Sequence, residues 1–203
     1  MKNPSPELGR DVTIDEPRDL AALQAAIAGG WAPRYLFFWG HTAKDPASVG
    51  KECLSQWYPA AFEIDGVRYA TAEHWMMAEK ARLFGDHAAA ERVLAAPHPG
   101  AAKRVGREVR GFDAAVWEER RFGIVVAGNR ARFTQHAELG RFLLGTSARV
   151  LVEASPVDRV WGIGLAADDP RATDPRTWDG LNLLGFALMQ VRAELAGTDA
   201  APG

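Results

Sequence analysis

The chain has 203 residues, of which 47% are hydrophobic and 25% charged, and its formal net charge is -2. This size and composition fit one globular domain, and the near-zero charge disfavours a long nucleic-acid duplex or an anionic membrane surface as the main partner. The single cysteine, Cys53, excludes an internal disulfide and fits a reducing compartment, so we expect a cytoplasmic protein.

The first half of the chain alternates short helices and strands. Residues 1–30 form an N-terminal extension with a short helix, predicted to start at Asp19 and to stop at Gly29-Gly30. The apolar run YLFFW follows at 35–39. Within AFEIDGVRYA the Asp65-Gly66 pair predicts a β-hairpin.

Helices are predicted to dominate the remainder. Helical patterns cover 71–84, beginning at Thr71 as N-cap, and then 87–96, 112–135, 137–146 and 181–195. RVLVEAS is typical of a buried strand, and a long Asp/Pro-rich loop spans 165–180. The pattern predicts an α+β domain over 31–196, mainly α with a small antiparallel β component, and a disordered tail at 197–203.

The helix TAEHWMMAEKARLF carries two charged residues, Glu73 and Lys80, seven positions apart on one helical face. Glu73 lies in the first turn, where the helix macrodipole favours an ionised carboxylate and hence a base or an electrostatic stabiliser. The alternative is that Glu73 only complements the helix start while Lys80 extends out of the core.

Four further segments contain candidate binding residues. The segment AAKRVGREVRG suits a phosphate through its cations Lys103, Arg104, Arg107 and Arg110, although a solvated basic helix face is the alternative. Trp161 and Gly162 follow the second buried strand, where the indole can cover a flat ring and a glycine admits a ligand, unless the pair only forms a tight turn. Trp39 and Trp57 are further stacking candidates.

The candidates near the C-terminus are polar. Asp168 and Asp169 can accept hydrogen bonds from ribose hydroxyls, or they are exposed acids of a mobile loop. Asn182 can read the amide edge of a heterocycle or serve as a helix N-cap. The five histidines show no ligand spacing, and we expect neither a metal nor a cofactor.

Five segments in unbroken order, between residues 34 and 195, resemble the NADAR (YbiA-like) family: YLFFWG, LSQWYPAAFEIDGVRYATAEHWMMAEKARLFGD, AAKRVGREVRGFD, RVLVEASPVDRVWGIGLAADDP and GLNLLGFALMQVR. Members of this family include the riboflavin biosynthesis intermediates N-glycosidase. The resemblance implies one N-glycosidase domain that hydrolyses an N-glycosidic bond. It implies Glu73 as the catalytic carboxylate, and Lys80 also matches a family position.

The resemblance leaves the substrate open. The leading expectation is a phosphorylated ribosylaminopyrimidine of riboflavin biosynthesis, cleaved to release ribose 5-phosphate. The alternatives are ADP-ribosylated guanine in nucleic acid, or a non-catalytic sensor that binds ADP-ribose. Some relatives carry an acid directly after the Trp-Gly pair, where this chain has Ile163. Either Asp168 or Asp169 supplies the missing ribose contact, or this branch of the family handles a different ligand. The sequence does not fix the oligomeric state.

Overall fold

The computed structural model describes residues 16–42, 45 and 47–199, with side chains described up to residue 197. Its helices and strands, in chain order, are α1 (Leu20–Ala28), β1 (Tyr35–Phe38), β2 (Phe62–Ile64), β3 (Val67–Tyr69), α2 (Ala72–Leu83), α3 (His87–Leu94), α4 (Pro99–Arg107), α5 (Ala114–Gln135), α6 (Ala137–Gly145), β4 (Val150–Glu153) and α7 (Leu183–Asp199). The prediction of a mainly α, α+β domain is confirmed.

Helix α2 forms the centre of the fold and packs against α3, α4 and α5. Eight of its twelve residues are buried, so it lies inside the domain rather than on its surface. Two glycines allow the close packing. A Cβ on Gly106 of α4 would lie 2.1 Å from Met77 Sδ, and one on Gly128 of α5 would lie 2.2 Å from Trp75 Cδ1. The small residues therefore set how closely α4 and α5 approach α2.

The β structure consists of two separate pairs of strands. β2 and β3 form the predicted antiparallel hairpin, with Asp65 and Gly66 both at positive φ as a tight two-residue turn requires. β1 and β4 pair in parallel, from Tyr35↔Val150 to Phe38↔Glu153, so the predicted antiparallel component describes only the hairpin. Since parallel strands end at the same edge, the segment after Glu153 leaves the sheet beside the end of β1.

The observed ends of some elements differ from the predicted ends by a few residues. The cap predictions are confirmed: Asp19 Oδ1 accepts from Ala22 N at 2.7 Å, and the Thr71 side chain caps α2. α7 continues to Asp199, so the first three residues of the predicted tail are helical, and residues 200–203 lie outside the described part, as do 1–15 of the extension. None of the described helices is long and apolar enough to cross a bilayer.

Candidate active site

A cavity of about 390 Å³ opens between α2, α4, the first half of α5 and the loop after β4. Its lining combines acids, bases and aromatic or aliphatic side chains: Glu73, Met76, Met77, Lys80, Lys103, Gly106, Arg107, Trp117, Arg121, Val157, Asp158, Arg159, Val160 and Trp161. Five predicted site residues meet here, namely Glu73, Lys80, Lys103, Arg107 and Trp161.

Glu73 lies at the buried end of this cavity, with only 2% of its surface exposed. Its backbone N–H donates to Gln56 O at 3.0 Å, and the indole of Trp57 donates to its carboxylate. Carboxylate oxygen Oε1 is buried and has no hydrogen-bond partner among the described residues. A buried carboxylate oxygen with spare acceptor capacity is free to meet a ligand or a water.

Burial raises the pKa of the Glu73 carboxyl to about 7, against the opposing effects of Lys103 and of the Trp57 hydrogen bond. We predicted an ionised carboxylate from the helix start, but that stabilisation is typically below about 1 kcal/mol and the loss of solvation is larger. Near neutral pH both forms of Glu73 are populated, so the group can accept a proton and give it back.

Lys80 shares the face of α2 with Glu73, as predicted. Its ammonium donates to Gly106 O at 2.8 Å and lies 4.2 Å from the ring centroid of Phe112 and 5.7 Å from that of Trp117. Partial burial lowers the pKa of Lys80. The amine thus sits against aromatic rings, without an acidic partner within ion-pair distance in the described chain.

The cavity wall is rich in cations. Lys103 and Arg107, one turn apart on α4, are joined by Arg121 of α5 and Arg159 of the loop after β4. None of the four forms an ion pair with a described carboxylate, and the Nε of Arg121 is buried without a partner. Unpaired cations in one wall suit an anionic ligand.

Two acids near Glu73 were missed by the sequence reading. Asp158 lines the cavity, and its Oδ1 accepts from Val160 N at 2.9 Å and Trp161 N at 2.8 Å. Glu153, the last residue of β4, has a buried Oε2 without a described partner. Burial, together with Asp158 and Glu73, raises the pKa of Glu153 to about 8. The only sequence signal was their position after a buried strand.

Some of the aromatic and glycine candidates lie at the site and others do not. Trp161 lines the cavity and Trp57 contacts Glu73, whereas Trp39 is 58% exposed and is absent from the lining. Gly162 is buried, and a Cβ there would lie 2.8 Å from Glu153 O and 3.0 Å from Asp158 O. Its role is the tight turn that we left as the alternative, because backbone rather than ligand fills the space.

Three polar candidates, Asn182, Asp169 and Asp168, lie outside the cavity lining. Asn182 is fully buried, and its side chain bonds the edge of β4, with Oδ1 accepting from Glu153 N and Nδ2 donating to Leu151 O. Asn182 thus braces the sheet, and it is absent from the cavity lining. Asp169 caps a 3₁₀ helix and pairs with Arg171 at 2.9 Å.

Asp168 is exposed, and neither loop acid belongs to the cavity lining. Two 3₁₀ helices, Pro170–Thr173 and Pro175–Thr177, give this loop regular local structure. Ile163 is fully buried, and its backbone N donates to Glu153 O at 2.9 Å. The position that is acidic in some relatives therefore serves the core here.

A larger groove of about 730 Å³ lies on the opposite side of α2, lined in part by Trp75, Glu79 and Arg82. Glu79 is paired with Arg82, and the Trp75 indole donates to Ile124 O at 2.7 Å. The main polar groups of this groove are therefore already bonded within the protein. The smaller cavity has the unpartnered acid and cations, and we take it as the site. No group of three His, Cys, Asp or Glu suited to a metal occurs in the described ranges.

Comparisons with known proteins identify the family of this chain. The model of the NADAR domain family matches residues 37–196, which include every lining residue of the cavity. N-glycosidase R617 of Acanthamoeba polyphaga mimivirus is 39% identical over 166 residues, covering 79% of this chain and 96% of that protein. N-glycosidase YbiA of Escherichia coli is 33% identical over 134 residues, covering 66% and 75%.

Two further matches add to these. The chloroplastic riboflavin biosynthesis protein PYRR of Zea mays is 33% identical over 141 residues, which are 66% of this chain but only 21% of that protein. The NMR structure of E. coli YbiA superposes with a TM-score of 0.66 at 26% identity, covering 85% of this chain and 91% of that one.

Proposed function

Because this chain belongs to the NADAR domain family, we propose that it is an N-glycosidase that hydrolyses the bond between a ribosyl carbon and a base nitrogen in a phosphorylated compound. The observation that carries the proposal is Glu73, a buried carboxylate with one oxygen that no described residue bonds, in a cavity whose wall holds four cations without a described carboxylate partner. The names of the viral and bacterial relatives support the same bond chemistry.

Glu73 has the position and protonation behaviour that this reaction needs. As the carbon–nitrogen bond breaks, its electron pair leaves with the base and positive charge develops on the sugar. The ionised carboxylate stabilises that charge at short range, because Glu73 is buried away from bulk water. A water molecule then adds to the sugar carbon, and Glu73 takes its proton, which a pKa near 7 permits.

Four other lining residues, together with Trp57, are assigned by their chemistry. Lys80 donates a proton or hydrogen bond to the departing base, since its ammonium already has a lowered pKa. Lys103 and Arg107 hold the 5′-phosphate through charge-assisted hydrogen bonds. Trp161 stacks on the base, and Trp57 keeps one donor on the Glu73 carboxylate.

For the substrate we propose a ribosylaminopyrimidine 5′-phosphate of riboflavin biosynthesis, with ribose 5-phosphate as one product. The riboflavin link is supported by the name of the maize relative, although this chain spans 21% of that protein. The cytoplasmic location stays a prediction that fits such a metabolite.

One observation favours a second candidate, ADP-ribosylated guanine. Arg121 and Arg159 add two cations without described acidic partners to the pair on α4. A ribose monophosphate needs fewer cations than a diphosphate does, so the extra pair fits a ligand with two phosphoryl groups.

The test compares the purified protein with Glu73→Gln and with Glu79→Gln, a control on the same helix that lies outside the site cavity. Each is given the ribosylaminopyrimidine phosphate and an oligonucleotide with ADP-ribosylated guanine. We expect ribose 5-phosphate from the first substrate, and a loss of at least about 100-fold in kcat for Glu73→Gln only. Near-normal turnover by Glu73→Gln would remove Glu73 from the mechanism, and repair of the oligonucleotide alone would select the second substrate.

A further inference from the structure

We propose that Arg132, Asn129 and Gln56 are positioning residues for the catalytic carboxylate, which they control through the turn of residues 55–58, here called the Trp57 turn. This inference rests on the proposed function, since it assigns Glu73 the catalytic role. Neither Arg132 nor Asn129 lines the active-site cavity, and both are fully buried on α5.

The network starts at the Arg132 guanidinium. Its Nη1 donates to Ser55 O at 2.8 Å, and its Nη2 donates to Asn129 Oδ1 at 2.8 Å. Asn129 Nδ2 in turn donates to Gln56 Oε1 at 2.8 Å and to Val125 O, also at 2.8 Å. One guanidinium thus ties two successive residues of the Trp57 turn to α5, some 75 residues further along the chain.

The Trp57 turn contacts Glu73 at two points. Gln56 O accepts the backbone N–H of Glu73 at 3.0 Å, which fixes the first turn of α2. The next residue, Trp57, donates its indole N–H to the Glu73 carboxylate. Internal bonds keep the turn compact, with Trp57 N donating to Ser55 Oγ and Tyr58 N donating to Ser55 O, both at 3.2 Å. Displacing the turn therefore moves both the backbone and the side-chain partner of Glu73.

Stability alone does not explain a buried arginine at position 132, because burying its charge costs solvation free energy. No described carboxylate pairs with it, and burial lowers its pKa to about 10. A buried charge is often replaceable by an apolar side chain of similar volume without loss of stability. Its guanidinium can, however, donate to two acceptors in a fixed fork, which an apolar residue cannot. The geometry assigns that fork to holding the Trp57 turn.

The test uses Arg132→Met and Asn129→Ala, with Arg192→Met as the matched control. Arg192 is also a buried arginine, but it bonds Thr146 Oγ1, Arg149 O and Glu16, away from the Trp57 turn. Turnover is measured at equal folded fraction. The pKa of Glu73 is measured by NMR titration of protein with ¹³C-labelled glutamate side chains, where Glu73→Gln identifies the signal.

For both network variants we expect kcat to fall by about 100-fold while KM changes little, because the reacting group is displaced rather than the substrate contacts. We also expect the pKa of Glu73 to rise, since the indole donor that favours the ionised form is lost. Asn129→Ala removes no charge, so a raised pKa of Glu73 in that variant reports a displaced donor rather than a lost cation. Arg132→Lys, which keeps one donor, should recover part of kcat.

The control should lose thermal stability without a change in kcat or in the pKa of Glu73. The proposal is overturned if Glu73 titrates in the network variants as it does in the wild type, or if Arg192→Met lowers kcat as much as they do. The titration needs no substrate. A wild type that cleaves no N-glycoside would therefore refute the proposed function, while the titration would still decide whether the network positions Glu73. If Arg132→Met does not fold, Asn129→Ala decides.

Discussion

Replacing Glu73 with Gln should make the protein more stable at pH 8 while abolishing turnover. The folded chain raises the pKa of this carboxyl from 4.5 to about 7. The folded state therefore binds more protons than the unfolded state between these values, and the stability contributed by Glu73 falls as the pH rises through that window. A neutral glutamine does not carry this penalty, and its carbonyl can still accept from Trp57.

The size of the effect follows from the shift. Each pKa unit corresponds to about 1.4 kcal/mol, so ionised Glu73 should cost the wild type on the order of 3 kcal/mol above pH 7. For a chain of this length that corresponds to roughly 6–12 °C in Tm. At pH 4.5 the carboxyl is neutral in the folded state and about half ionised in the unfolded state, so the difference between wild type and variant should largely disappear.

The measurement is chemical denaturation followed by circular dichroism at pH 4.5 and pH 8 for wild type, Glu73→Gln and Glu79→Gln. Glu79 lies on the same helix, but its carboxylate is paired with Arg82 at 2.5 Å, so its removal should give no gain at either pH. The reasoning is refuted if Glu73→Gln is no more stable than the wild type at pH 8, or if the gain is the same at both pH values.

Three further predictions concern the site and its walls. The kcat/KM of the wild type should rise about tenfold between pH 6 and pH 8, because the ionised form of Glu73 acts, whereas a flat profile would exclude this group. Lys103→Gln and Arg107→Gln should each raise KM about tenfold for a phosphorylated substrate and leave the KM of a dephosphorylated analogue unchanged. Arg104→Gln, on the exposed side of α4, is the control. Equal effects on both substrates would argue against phosphate binding. Gly106→Ala should lower the free energy of unfolding by about 1–3 kcal/mol in urea titrations, since the methyl group would meet Met77; Gly123→Ala, where nothing lies within 4 Å, should not, and equal stability of the two variants would contradict the packing argument.

Local sequence patterns predicted the elements whose signals are local. The Thr71 cap, the Asp65-Gly66 turn and the shared face of Glu73 and Lys80 depend on spacings of a few residues, and all three occur in the structure. Local patterns did not predict the parallel pairing of β1 with β4. The two strands are separated by more than 110 residues, and neither carries a signal for its partner. The same holds for Arg121 and Arg159, whose sequence surroundings resemble those of ordinary surface arginines.

Asn182 shows why a residue type alone does not assign a role. An Asn before a helix suits capping, ligand binding or edge bonding equally well, and only the fold places β4 beside it. Its positive φ of 54°, which Asn tolerates better than most residues, turns the side chain onto the strand. The brace also fixes the end of β4, from which Glu153 and the loop with Asp158 continue to the cavity.

The position of Glu73 reflects a conflict between two environments, which the fold settles in favour of burial. The start of α2, together with Lys103 and the Trp57 donor, favours the ionised form, while the loss of solvent favours the neutral form by more. A carboxylate at the surface of the same helix would stay ionised but would act through water, which weakens its effect on a developing positive charge. Burial strengthens that effect and at the same time makes ionisation costly. The cations of the wall and the held indole reduce this cost without removing it, which leaves Glu73 close to its titration point at neutral pH.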